Sequence, residues 1–79
     1  MTRYFFHIRY GDSLVLDPEG AEFPSIDLAR EEAVSSAREI LAQRVKQGDP
    51  LEAESFEITT EDGQVMSTVP FRLTIRLSR

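Results

Sequence analysis

The chain has 79 residues, which predicts one small domain, residues 1–79, burying roughly 60–65 % of the surface of its unfolded chain. Its composition, with 41 % hydrophobic and 29 % charged residues, is that of a globular protein and argues against intrinsic disorder. A net charge of −5 disfavours general binding to nucleic acids or anionic membranes, and the lack of cysteine excludes disulfides and thiolate-bound zinc.

The first predicted strand lies near the N-terminus. Its residues alternate between two sets, Tyr4, Phe6, Ile8 and Tyr10 on one side and Phe5, His7 and Arg9 on the other. Aromatic side chains on both faces suit a central strand. A second short strand is predicted over residues 14–16. Its register stays open, because residues 10–11 and residues 11–13 both fit the connecting loop.

A turn and a helix follow. Asp17 to Gly20, D-P-E-G, has the residue types of a type I turn, with an Asp acceptor first and Gly last. From Ile26 to about Gln47 the apolar residues recur at helical spacing, at Ile26, Ala29, Ala33, Ala37, Ile40, Leu41 and Val45. Ser25 is the predicted N-cap, and Gly48 ends the helix.

A second antiparallel hairpin is predicted after the helix. Asp62-Gly63 has the residue types of a two-residue type I′ turn, which places Phe56 opposite Val69, Ile58 opposite Ser67 and Thr60 opposite Val65. Beyond Pro70, apolar and polar residues alternate from residue 71 to 77. This alternation indicates a bent continuation or a fifth strand, ordered to about Leu77. The predicted fold is therefore α+β, β-β-α-β-β, with two hairpins in one sheet, one amphipathic helix on one face and a possible fifth C-terminal strand.

The charges are unevenly distributed along the chain. All Asp and Glu lie between Asp12 and Asp62, whereas residues 1–11 and 63–79 contain arginine and no acid. If the terminal strands are neighbours in the sheet, their side chains form a positive stripe that the net charge conceals.

Several motifs together carry a resemblance to a known family. They are R-Y-F-F-H-I-R at residues 3–9, D-P-E-G at residues 17–20, F-P before an alanine-rich helix, and F-E-I-T-T-E-D-G-Q-V at residues 56–65. Over nearly its whole length the chain resembles a family of short bacterial proteins that is catalogued only as a domain of unknown function. This resemblance implies no activity, cofactor or catalytic residue.

Motifs of known catalytic chemistry are absent from the sequence, including phosphate-binding glycine loops, H-E-x-x-H and the nucleophile elbow. His7, Asp12 and Ser13 are the residue types of a hydrolase triad, but they crowd into one hairpin with no evident oxyanion hole. The acids near Asp17 lack the spacing of a calcium loop, and His7 has no second histidine to share a metal. We expect no enzyme activity, no catalytic residue, no metal site and no cofactor.

One set of residues forms a candidate binding surface. If Tyr4, Phe6 and Ile8 face the helix, the opposite face carries Arg3, Phe5, His7 and Arg9. One helix covers only one side of a sheet, so this face would meet solvent unless a partner covers it. In a homodimer Arg3 and Arg9 would need acids opposite them, and Glu57 of a second copy is the candidate.

These observations predict a non-enzymatic protein-interaction domain that self-associates through the open sheet face. The alternative is an anion or single-stranded nucleic-acid binder in which Arg3 and Arg9 supply charge and Phe5, beside His7, supplies a stacking surface. The acidity of the chain makes nucleic acid the weaker alternative. No signal peptide and no apolar run of ~20 residues are present, so we expect a cytoplasmic protein without a membrane span.

Overall fold

The computed structural model describes residues 1–75, which form one antiparallel five-stranded sheet and one α-helix. The strands are β1 (Thr2–Tyr10), β2 (Ser13–Val15), β3 (Ala21–Phe23), β4 (Ser55–Thr59) and β5 (Val65–Pro70). The helix α1 is Ile26–Gln47, and a short 3₁₀ helix, Phe71–Thr74, follows β5. The predicted α+β fold is confirmed, and β3 is an additional strand that the sequence did not indicate.

Strand β1 lies in the centre of the sheet, as its aromatic residues on both faces predicted. One of its edges pairs with β4, and its other edge is shared between β2 and β3. The first hairpin pairs Tyr10 with Ser13, so its loop is Gly11–Asp12 and neither of the two expected loops forms. Gly11 has a φ of 57°, the positive φ at the first central position that a type II′ turn requires. This register places Leu14 opposite Arg9.

Helix α1 has the predicted bounds because both of its caps are local. The Ser25 side chain accepts a hydrogen bond from the Leu28 N–H (3.2 Å), and Gly48 ends the helix with a φ of 72°. Burial along the predicted apolar stripe ends at Leu41, whereas Val45 is 80 % exposed. The last turn of the helix therefore extends beyond the core, and the assignment of Val45 to the buried stripe is wrong.

The core lies between α1 and the sheet face that carries Tyr4 and Phe6. Three alanines of the helix are essentially fully buried, and the small side chains let the helix backbone approach the sheet closely. The buried hydrophobic cluster consists of Tyr4, Ala29, Ala33, Ala37, Ala53, Phe56, Ile58, Val69 and Phe71.

The second hairpin keeps most of its predicted register. Phe56 pairs with Val69 and Ile58 with Ser67, as expected, but a bulge shifts the pairing so that Val65 lies opposite Thr59 rather than Thr60. The turn is also not the predicted type I′ turn, which needs a positive φ at both of its central residues, Asp62 and Gly63. Gly63 alone supplies it in this turn, with a φ of 89° and an N–H that donates to the Thr60 carbonyl (3.0 Å). The loop therefore spans residues 61–63.

The expected strand after Pro70 is wrong for the described part of that segment, which forms the 3₁₀ helix. Phe71 is fully buried, and its N–H donates to the Glu54 carbonyl (2.9 Å). The Arg38 side chain donates to the Thr74 carbonyl (2.6 Å). These contacts with other elements turn the chain under α1, and alternation along the sequence cannot reveal them. The remainder of the predicted strand, residues 76–77, lies outside the described residues.

Candidate functional site

The candidate site is the sheet face opposite α1, called here the open face. Paired strand residues share a face, so the registers place on it Arg3, Phe5, His7 and Arg9 of β1, Leu14 of β2, Glu22 of β3, Ser55, Glu57 and Thr59 of β4, and Val65, Thr68 and Pro70 of β5. The four predicted binding residues therefore lie together along β1. All four are half-buried.

Arg9 forms an ion pair with Glu57 of the same chain. Its Nε lies 2.8 Å from Glu57 Oε2, and a terminal nitrogen lies 3.4 Å from Oε1. The pair forms because β4 lies beside β1 in a register that puts Glu57 opposite His7, one position diagonal to Arg9. The hydrogen bond to Glu57 raises the pKa of Arg9 above its usual value, although partial desolvation opposes it. Glu57 is thus an intrachain partner, contrary to the expectation that it pairs with a second copy.

Arg3 is also paired within the chain, through the strand that the sequence did not indicate. Strand β3 places Glu22 opposite Arg3, with 3.2 Å between Glu22 Oε2 and the guanidinium. The same guanidinium donates to the Glu19 carbonyl (2.8 Å). The expected positive stripe does not form in the described part of the sheet, because β4 separates β1 from β5. Each arginine of β1 instead has an acid beside it.

Asp17 binds the edge of β1 between the part that pairs with β3 and the part that pairs with β2. Its carboxylate accepts hydrogen bonds from the N–H groups of Phe6 (3.1 Å), Glu19 (3.2 Å) and Gly20 (3.2 Å). Burial alone would raise the pKa of Asp17, but the three N–H donors outweigh it and lower this pKa. The predicted Asp acceptor at the start of the turn was the sequence signal for this residue.

His7 is held on the open face by the backbone of Asp17. The Asp17 N–H donates to His7 Nδ1 (3.0 Å), so the ring proton lies on Nε2. The phenyl ring of Phe5 stacks on the imidazole with 6.1 Å between centroids and 25° between planes. His7 therefore offers a neutral N–H donor on an aromatic surface.

The backbone of Gly20 packs closely against the Phe5 ring. The backbone of Gly20 has a φ of 68°, and a Cβ there would lie 2.9 Å from the ring and 2.8 Å from the Tyr4 carbonyl oxygen. Only glycine fits this approach, so the turn after Asp17 packs against one side of Phe5. Phe5 as a whole is half-buried.

The structure gives His7 a different hydrogen-bond partner from the one that the suggested hydrolase triad would need. Its Nδ1 is bonded to the Asp17 backbone rather than to Asp12, the acid of the suggested triad. Among residues 1–75, no group of three or more His, Asp or Glu side chains is placed to hold a metal ion. Over the same range, no helix has the length and apolarity needed to cross a membrane.

Comparison with known proteins gives one match. A family model described as Domain of unknown function (DUF6894) matches residues 3–72, which include all of β1 to β5 except Thr2. Neither the curated proteins nor the solved structures contain a significant match.

Proposed function

Because the chain belongs to the family described as Domain of unknown function (DUF6894), we propose its function from its own geometry: it is a non-enzymatic protein-interaction domain that binds a second copy of itself through the open face. The proposal concerns the residues expected to bind, Arg3, Phe5, His7 and Arg9. It requires no cofactor and no metal.

The observation that carries the proposal is the internal pairing of both arginines on this face. Arg3 is neutralised by Glu22 and Arg9 by Glu57. An ion pair that is already formed and hydrogen-bonded can enter a protein interface without leaving an unpaired charge. Around these pairs lie the half-buried Phe5 ring and further apolar residues such as Leu14. Aromatic residues and arginine are enriched in protein–protein interfaces, and this face carries Phe5, Arg3 and Arg9.

The alternative, an anion or single-stranded nucleic-acid binder, is less well supported. A phosphate would have to displace Glu57 from Arg9 or Glu22 from Arg3, on a protein with a net charge of −5. The acids beside the arginines repel such a ligand. No observation on the open face favours this function over self-association.

The test is light scattering or sedimentation of the wild type over a range of concentrations, beside three variants. Phe5→Glu places a charge in the proposed interface, and Thr68→Arg adds bulk there at an exposed position that the fold does not need. Val45→Glu is the matched control, an exposed apolar residue outside the open face. The wild type and Val45→Glu should be dimers, and each open-face variant should weaken the dimer at least ~10-fold, because apolar burial is lost in both copies.

Two results contradict the proposal. A wild-type protein that stays monomeric at high concentration rules out self-association. A dimer that is unchanged in both Phe5→Glu and Thr68→Arg, with circular dichroism showing that each is folded, places the interface on another surface.

A further inference from the structure

We infer that the two copies stack their open faces about a two-fold axis that runs parallel to the strands, between β1 and β4, so that β1 of each copy lies over β4 of the other. This inference rests on the proposed self-association and specifies its geometry. Stacked sheets with nearly aligned strands are a common way to bury two sheet faces.

Large side chains of β1 lie opposite small side chains of β4. Within one chain, Phe5 lies opposite Thr59 and Arg9 opposite Ser55. Thr59 and Ser55 are the smaller members of these pairs, and both are buried. The inferred axis exchanges the two strands, so each large side chain of one copy lies above a small one of the other. This placement keeps Phe5 and Arg9 of one copy from lying directly above large side chains of the other.

The second argument is electrostatic and concerns the middle of the face. Within one chain His7 lies opposite Glu57, so the axis places His7 of each copy over Glu57 of the other. His7 carries its proton on Nε2, which leaves a donor free of the bond to Asp17. Glu57 accepts from Arg9 with both oxygens, and each oxygen retains a second lone pair. The donor and the acceptor are complementary, and the contact occurs twice in the dimer.

The inferred axis also brings together the outer strands β2 and β5 of the two copies. The strand order β2-β1-β4-β5 is symmetric about the gap between β1 and β4. The axis therefore places β2 of one copy over β5 of the other. Leu14 then lies over the end of β5 that carries Thr68 and Pro70, where the surface is neutral.

The competing two-fold axis runs across the strands and is disfavoured by hydrogen bonding. It would place each strand over its own copy, with His7 near His7 and Glu57 near Glu57. Each Glu57 would then face a second acceptor and each His7 a second donor, so neither would gain the hydrogen bond that the axis parallel to the strands supplies. The geometry therefore points to the axis parallel to the strands.

Introduced cysteines distinguish the two axes, because the chain has no cysteine of its own. Leu14→Cys lies on β2 and Thr68→Cys on β5, both on the open face. With the inferred axis Leu14 of one copy lies over Pro70 of the other, and Thr68 is two residues further along β5, so Leu14 and Thr68 are offset by only ~7 Å along the strand in addition to the gap between sheets. Each position is separated from its own symmetry mate by three strand spacings, ~14 Å, in addition to the same gap. The two variants are mixed at a concentration that allows subunit exchange and treated with a short bis-maleimide.

The expected result is a cross-linked dimer from the mixture and none from either variant alone. Cross-linking of Thr68→Cys alone would establish the axis across the strands and overturn the inference. Absence of any cross-link, with light scattering showing dimers and circular dichroism showing folded variants, overturns it as well. If light scattering finds only monomers of the wild type, it is the proposed self-association that fails.

Discussion

The Asp17 side chain accepts a hydrogen bond from the backbone of β1, as a backbone carbonyl of a neighbouring strand would. Between the pairings with β2 and β3, the N–H of Phe6 donates to the Asp17 carboxylate, and the Asp17 N–H donates to His7. One residue thus joins the turn to the central strand and orients the imidazole on the open face. The orientation of His7 on the open face therefore depends on Asp17, a residue of the neighbouring turn.

Asp17→Asn tests this contact through pH. Because the pKa of Asp17 is lowered in the fold, its ionised form stabilises the protein above the unfolded-state pKa of ~3.9, and this contribution is lost as pH falls through the lower folded-state pKa. We expect Asp17→Asn to cost about 1–3 kcal/mol at pH 7 and to lose less stability than the wild type on acidification below about pH 4. Urea unfolding at several pH values measures both effects. Asp12→Asn, in the exposed first turn, is the control, and an equal loss in both variants would contradict the role of Asp17.

Gly20→Ala separates backbone strain from close packing. Both Gly20 and Gly48 have a positive φ, 68° and 72°, but a Cβ at Gly48 meets nothing within 4 Å. Gly48→Ala should therefore cost only the conformational penalty of about 1 kcal/mol, and Gly20→Ala should cost clearly more because the Tyr4 carbonyl and the Phe5 ring must move. Thermal unfolding of the two variants makes the comparison. Equal shifts of Tm would show that the contact with Phe5 is not tight.

The four candidate binding residues could be placed on one face from the sequence, but the pairing of Arg3 and Arg9 with acids of the same chain could not be predicted. Alternation along β1 is a local signal, and it assigned Arg3, Phe5, His7 and Arg9 to the same side. The ion pair between Arg9 and Glu57 depends on which strand lies beside β1 and in which register, and these residues are 48 positions apart. No pattern within one segment carries that information.

Elements defined by local chemistry were predicted best. Helix α1 has its predicted bounds because Ser25 and Gly48 cap it through their own side chain and backbone. Strand β3 was missed because three residues, Ala21–Phe23, are too few to show alternation and form a strand only by pairing with β1. The 3₁₀ helix after Pro70 was missed for a related reason, since burial of Phe71 against α1 outweighs the alternating pattern.

Substitutions in the 3₁₀ helix distinguish it from the strand that the sequence indicates. In a strand, Phe71 and Leu73 would share a face and be buried alike. In the 3₁₀ helix Phe71 is fully buried and Leu73 is 72 % exposed. Phe71→Ala should therefore cost about 3–5 kcal/mol, and Leu73→Ala should stay within about 0.5 kcal/mol of the wild type. Chemical denaturation gives both values, and comparable losses would favour the strand.

At the scale of the whole molecule, the net charge of the chain bears on which ligands we expect to bind. The acidic chain holds the arginines of the open face in ion pairs, so a polyanion gains little from them. We expect a labelled single-stranded oligonucleotide to show weak binding at low salt that disappears at physiological ionic strength. Fluorescence anisotropy over a salt series tests this, with Arg9→Gln to show whether residual binding uses the open face. Tight binding that survives high salt would favour the nucleic-acid alternative.

The central position of β1 also has a consequence for how the chain is made. Strand β1 is synthesised before the other strands of the sheet and is rich in aromatic residues, but its longest pairing is with β4, which follows the whole of α1. A nascent chain that has not yet reached Ser55 therefore has an apolar strand with one edge unpaired. Non-local pairing of this kind slows folding and leaves such an edge open to other chains. We therefore expect aggregation to compete with folding during biosynthesis until β4 has emerged from the ribosome.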